Sequence, residues 1–157
     1  MYIFDTNVLL TICRFYYIST FPSFWEYFNE YIENGRVISV REVLTEILSY
    51  YNVNSKLVIW AKQHRNIFYQ PINLEIEFIK EIFLIKHFQY NIPKESQLVG
   101  KPVADPFVIA KAREKNGYVV TNEEYKKNGA KIPNICECFN VKCINLNQFM
   151  ELENWKF

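Results

Sequence analysis

Apolar residues come in short unbroken runs, and stretches with helical spacing separate them. Tyr2, Ile3 and Phe4 form the first run, and Asp5, Thr6 and Asn7 stop it. Val8, Leu9, Ile12 and Phe15 or Tyr16 then recur on one side of a predicted helix over residues 6–17. Pro22 opens a second helix and Gly35 closes it. That helix is apolar around more than one face, through Phe24, Trp25, Tyr27, Phe28, Tyr31 and Ile32. RVISV (residues 36–40) reads as a strand, followed by helices over residues 41–51 and 55–63. Residues 67–70 are ambiguous, and residues 74–88 return to helical spacing through Ile76, Ile79 and Phe83. A polar loop rich in Pro and Gly runs to residue 102. A helix follows from PFVIAKAREKN, and Gly117 terminates it. YVVT (residues 118–121) and VKCI (residues 141–144) are the last strands, and Asn147 starts a final helix.

Strands therefore alternate with helices, and they are short and apolar without a clean period of two. That pattern predicts a central, mainly parallel sheet of four to five strands covered on both faces, a three-layer α/β/α fold. The 157 residues suit a single domain with a sizeable core, and half of them are hydrophobic. No apolar run approaches the ~18 residues of a membrane span, and no signal peptide is recognisable, so a cytoplasmic chain without membrane partners is expected.

The functional cleft of an open parallel sheet lies at the carboxyl ends of its strands. Carboxylates gather there along this chain. Asp5 ends the first strand, Glu42 and Glu46 lie on one face of the helix after RVISV, Asp105 precedes Pro106 at a helix start, and Glu123 lies two residues past YVVT. Each has a plain structural explanation, helix capping for Asp5 and Asp105 above all. Together they repel, and they stay ionised only around positive charge. A hard cation such as Mg²⁺ or Mn²⁺, as one or two ions, suits an all-oxygen site and supports phosphodiester hydrolysis.

Four stretches in order resemble the PIN-domain family, of the small single-domain kind that includes the VapC-type toxins. These are YIFDTNVLL, VREVLTEI, VADPFVIAKAREKNG and YVVTNEEY. The resemblance implies a PIN-like α/β/α fold and a Mg²⁺- or Mn²⁺-dependent endoribonuclease, commonly a toxin held by an antitoxin protein. It assigns Asp5, Glu46, Asp105 and Glu123 as catalytic residues and metal ligands. Asn7 and Thr121 suit hydrogen bonds that fix the carboxylates, with helix capping and turn formation as their alternatives. Glu42 stands as an assistant to or substitute for Glu46. Glu123 replaces a more usual Asp, and the stretch KIPNICECFNVKCINLNQF departs from typical toxins and points to a separate PIN-like subfamily. Other readings are a non-catalytic PIN-like module that binds RNA or protein, and a structure-specific DNA nuclease.

The formal charge is only +1, so nucleic-acid binding would rely on local basic residues. Lys101, Lys111 and Arg113 are the candidates for an RNA rim. The aromatic second helix offers a surface for a homodimer or an antitoxin, with plain core packing of its rings as the leading alternative. Cys136, Cys138 and Cys143 form no standard zinc spacing, with no His or fourth Cys near them in sequence, so reduced, partly buried thiols are expected. His64 and His87 fall far from every motif and are read as structural.

Overall fold

The computed structural model describes residues 1–91 and 103–157. Among them, five strands form one sheet: β1 (Tyr2–Phe4), β2 (Val37–Val40), β3 (Phe68–Tyr69), β4 (Tyr118–Val120) and β5 (Lys142–Ile144). All pairings are parallel, in the order β3, β2, β1, β4, β5. Eight α-helices accompany the described strands: α1 (Thr6–Phe15), α2 (Pro22–Glu33), α3 (Arg41–Tyr50), α4 (Lys56–Gln63), α5 (Asn73–Leu84), α6 (Asp105–Glu114), α7 (Ile132–Cys138) and α8 (Leu146–Leu152). The fold is a three-layer α/β arrangement, as the alternation predicts.

The strand order fixes the layers. From β1 the chain steps outward to β2 and β3, and then crosses back to β4 and on to β5. Right-handed crossovers in opposite directions place their helices on opposite faces, α1 to α4 on one and α5 to α7 on the other. Phe4 faces the first layer, where it meets Phe28 of α2 and Phe149 of α8, so α8 returns to that side. Ile3 points the other way, as strand alternation requires, and both residues are wholly buried. Trp155 extends the first layer by packing on Tyr31 and Phe149.

Several boundaries differ from the sequence expectation for identifiable reasons. The ambiguous stretch after Arg65–Ile67 is the two-residue strand β3, too short to show a period. Helix α1 stops at Phe15, two residues early. The helix after the polar loop ends at Glu114, and Asn116, not Gly117, takes the left-handed conformation that closes it, at φ 47°. Gly117 is needed for a different reason: a Cβ there would stand 2.6 Å from Met1 O, where β4 and β1 run side by side. Asn140 and Asn154 close α7 and α8 in the same left-handed way. Helix α7 itself was not expected, because two turns leave too little periodicity to read.

Candidate functional site

The connections leaving β1 and β4 run in opposite directions. The crevice between the carboxyl ends of these neighbours is therefore the topological switch point, where open α/β sheets bind ligands. Asp5 is the first residue beyond β1, and Thr121 the first beyond β4. The backbones are pinned there, since Asp5 N donates to Val120 O at 3.1 Å and Thr121 N donates to Ile144 O at 3.0 Å.

The Asp5 side chain is only 3% exposed. Its Oδ1 caps α1 by accepting from Thr6 N at 2.6 Å. Its Oδ2 accepts from Asn7 Nδ2 at 2.5 Å and from Thr121 Oγ1 at 3.1 Å. Burial pushes this carboxyl well above its usual range and the Asp105 charge pushes it further, while the Thr6 and Thr121 donors work the other way. Asp105, in the first turn of α6, thus lies within electrostatic reach of Asp5. It is part of the helix and not its cap: Ala104 takes the cap position, with no side-chain bond.

Asn7 and Thr121 form a joint between the two strand ends. Asn7 Nδ2 also donates to Thr121 Oγ1 at 3.0 Å, and Asn7 Oδ1 accepts from Asn122 N at 2.9 Å. Thr121 Oγ1 accepts from Glu123 N at 3.1 Å. Asn122 continues the joint through Thr11 Oγ1 and Leu146 N, at 3.2 and 3.4 Å. Sequence reasoning missed Asn122, although it lies between two chosen residues.

The other acids are engaged in different ways. Glu46 accepts from Thr6 Oγ1 at 2.7 Å and from Ala104 N at 3.0 Å, so it links α1 to the start of α6. Burial raises its pKa against the pull of both donors. Glu42 is buried beside Arg41, whose guanidinium donates to Oε1 at 2.7 Å, and Oε2 has no hydrogen-bond partner among the described residues. Glu123 accepts from Lys131 Nζ at 2.8 Å and from Ile132 N at 3.0 Å, tying the strand end to the start of α7. Lys131 also feels the charges of Asp105 and Asp5, and together these partners raise its pKa, Glu123 foremost. Among the described residues this ammonium lies beside the cluster, and it was not among the rim candidates chosen from the sequence. Tyr51 was missed too: burial raises its hydroxyl's pKa first, with the Glu46 and Asp5 charges adding to the shift.

The expected basic rim is not found where it was placed. Lys111 is 3% exposed and lies 2.5 Å from Glu75 Oε1, inside the α5–α6 seam. An internal ion pair occupies it, although the contact lacks hydrogen-bond alignment at Glu75 Oε1. Arg113 lies over the Phe78 ring and 3.4 Å from Glu81, on the outer side of the same seam. Both point away from the switch point because the helix turns them toward α5. Lys101 lies outside the described residues. His64 and His87 bond to backbone oxygens of Trp60 and Gly129, in keeping with structural roles.

No group of three or more His, Cys, Asp and Glu side chains among the described residues stands in an arrangement that could hold a metal ion. The four acids are therefore not brought together as one ligand cage, and the cysteines are not grouped for zinc. A smaller donor set does suit a hard cation. Mg²⁺ is usually held by one or two carboxylates with waters and substrate phosphates, and Asp5 and Asp105 are two mutually repelling carboxylates at the crevice.

Fold and crevice define a three-layer α/β protein with a carboxylate cluster at its switch point. The chain belongs to the family described as a domain of unknown function, DUF4411, whose model matches residues 2–157. No curated protein matches the chain.

Proposed function

We propose that this protein is a PIN-like, metal-dependent endoribonuclease. The observation that carries the reading is the buried Asp5 carboxylate at the switch point, held by three donors and within electrostatic reach of Asp105. A carboxyl so strongly perturbed by burial and a like charge, in a cleft, marks a functional-site candidate. Asp5 and Asp105 would hold Mg²⁺ or Mn²⁺. When bound, such an ion lowers the pKa of water and stabilises phosphoryl charge.

The chain's own groups do the rest. Thr121 and Asn7 fix the Asp5 rotamer, so its oxygens are oriented before substrate arrives. Glu46, raised by burial and anchored by Thr6 and Ala104, suits proton transfer at Oε2 to or from an attacking or leaving oxygen. Lys131 supplies the positive charge at the crevice that Lys111 and Arg113 do not, and it suits a substrate phosphate. Glu123 holds Lys131 and the start of α7 in place. Pairing with an antitoxin or a second copy rests on the resemblance and on helix α2, whose Phe24, Phe28 and Ile32 the fold buries and whose Tyr27 packs on Trp155 and Phe157.

A second reading is favoured by two observations. Both Glu123 oxygens are already engaged, and the described residues form no three-acid metal cluster. A PIN-like module that binds RNA or protein without cutting would have such a site.

The test is incubation of purified protein with structured RNAs and with single- and double-stranded DNA, in Mg²⁺ or Mn²⁺, beside Asp5→Asn and Asp105→Asn. Metal-dependent RNA cleavage that falls at least ~100-fold in both variants is expected. Cleavage of DNA alone would replace this reading with a DNA nuclease, and RNA binding without cleavage would leave the non-catalytic module.

A further inference from the structure

The four cysteines of the described chain are free thiols, and the fold brings two of them together. Cys136 lies in the last turns of α7 and Cys143 in the middle of β5. The turn between these elements is tight. Val141 N donates to Cys136 O at 2.8 Å, around Asn140 at φ 53°. This reversal lays β5 against the helix that precedes it. The two side chains then lie within reach of one another, each shifting the other's titration, Cys136 upward and Cys143 downward. Both residues line one cavity of about 520 Å³, together with Thr121 and Glu123 of the carboxylate site. Cys138, two residues from Cys136, is exposed and lines a different cavity, and Cys13 is buried elsewhere, on α1.

We propose that Cys136 and Cys143 are a redox pair that hydrogen peroxide closes into an intrachain disulfide, a modification site next to the carboxylate cluster. The two thiols have unequal parts. Cys143 is the more accessible, and its interaction with Cys136 lowers its pKa, while that interaction, with burial, keeps Cys136 protonated. Cys143 sulfur attacks a peroxide oxygen, the O–O bond breaks, and hydroxide leaves to take up a proton as water. The product is a sulfenic acid on Cys143. Cys136 sulfur then attacks that sulfur, its proton goes to the departing hydroxide, and a second water leaves. Two thiols are oxidised, one peroxide is reduced, and a small dithiol reverses the step by exchange.

The pair is coupled to the site through short paths. Cys136 rides on α7, whose first N–H, on Ile132, is held by Glu123. Cys143 is the register partner of Val119, and the next residue, Ile144, accepts from Thr121 N. Closing the disulfide draws on both.

The experiment uses the full chain. The protein is treated with hydrogen peroxide, its remaining thiols are alkylated, and peptides are mapped by mass spectrometry without reduction. The expected result is a Cys136–Cys143 link, a loss of two hydrogens from the intact mass, and full reversal by dithiothreitol. A Cys13→Ser, Cys138→Ser double variant should keep the link. Cys136→Ser should stop at a sulfenic acid on Cys143, trapped by dimedone. Oxidation confined to Cys138, links between chains, or dimedone labelling of Cys143 in the parent protein without any Cys136 link would overturn the proposal. The mapping on unsubstituted protein decides this even if a serine variant folds poorly, and its outcome does not depend on nuclease activity.

Discussion

Thr121 Oγ1 donates to Asp5 Oδ2 at 3.1 Å, joining side chains 116 positions apart. The bond crosses the switch point and stabilises the charged form of a carboxyl that its surroundings otherwise disfavour. Burial first, and the Asp105 charge second, hold the folded pKa of Asp5 well above the ordinary 3.8. The folded chain thus binds this proton more tightly than the unfolded chain. Stability from the group is fully present below the unfolded pKa and is lost as pH rises through the folded one. Asp5→Asn removes the charge and leaves a side chain that caps helices equally well. Without added metal, the variant should be more stable than the parent at about pH 8 by about 1 kcal/mol, or roughly 2–4 °C in melting temperature. The gap should close toward about pH 4. Thermal melts across that range check it, and a less stable variant at the higher pH would contradict it.

Asn7 should be the most sensitive member of the joint. Its amide serves Asp5, Thr121 and Asn122 N at once. Asn7→Ala leaves Asn122 N without its acceptor and Asp5 with one donor fewer, at an expected cost of about 1–3 kcal/mol. Asn7→Asp sets a further carboxylate against Asp5, so its penalty should grow as pH rises, whereas that of Asn7→Ala should grow much less. Urea midpoints at two pH values separate the two.

The ion pair of Lys111 and Glu75 is buried on both sides, at 4% and 1% side-chain exposure. Lys111→Met alone strands a carboxylate between α5 and α6 and should cost about 3–5 kcal/mol. Lys111→Met with Glu75→Leu should recover most of that loss, because an apolar pair of similar volume commonly replaces a buried ion pair without penalty. A double-mutant cycle by denaturant unfolding measures the recovery. Additive losses would mean that the pair fits its seam in a way apolar groups cannot.

The sheet and most helices were legible because apolar runs and helical spacing report directly on burial. Asp5 was legible for a related reason: a carboxylate set at the end of an apolar strand stands where the cleft of a parallel sheet lies, even though it also caps a helix. Lys111 and Arg113 were misplaced because sequence gives a residue's position on a helix but not the neighbour that helix faces. Lys131 and Asn122 were missed since their roles depend on α7 and on the β1–β4 pairing, which join residues far apart in the chain. Helix α7 offered Pro133 near its start and Asn140 beyond its end as signals, both easily read as loop.

Glu123 and Lys131 form one ion pair, yet they should not be equal in the fold. Lys131 is half exposed, and an ion pair of that kind contributes little. Its loss in Lys131→Ala should change stability by no more than about 0.5 kcal/mol. Glu123 has a second duty, since its Oε2 accepts from Ile132 N at the start of α7. Glu123→Ala orphans that N–H and should cost about 1 kcal/mol more, as loss of a helix cap does. Glu123→Gln keeps an oxygen for Ile132 N and should behave like Lys131→Ala. Thermal unfolding of the three variants gives the order. If Glu123→Gln were as damaging as Glu123→Ala, the charge on Glu123, and not its place at the helix start, would hold α7 beside the crevice.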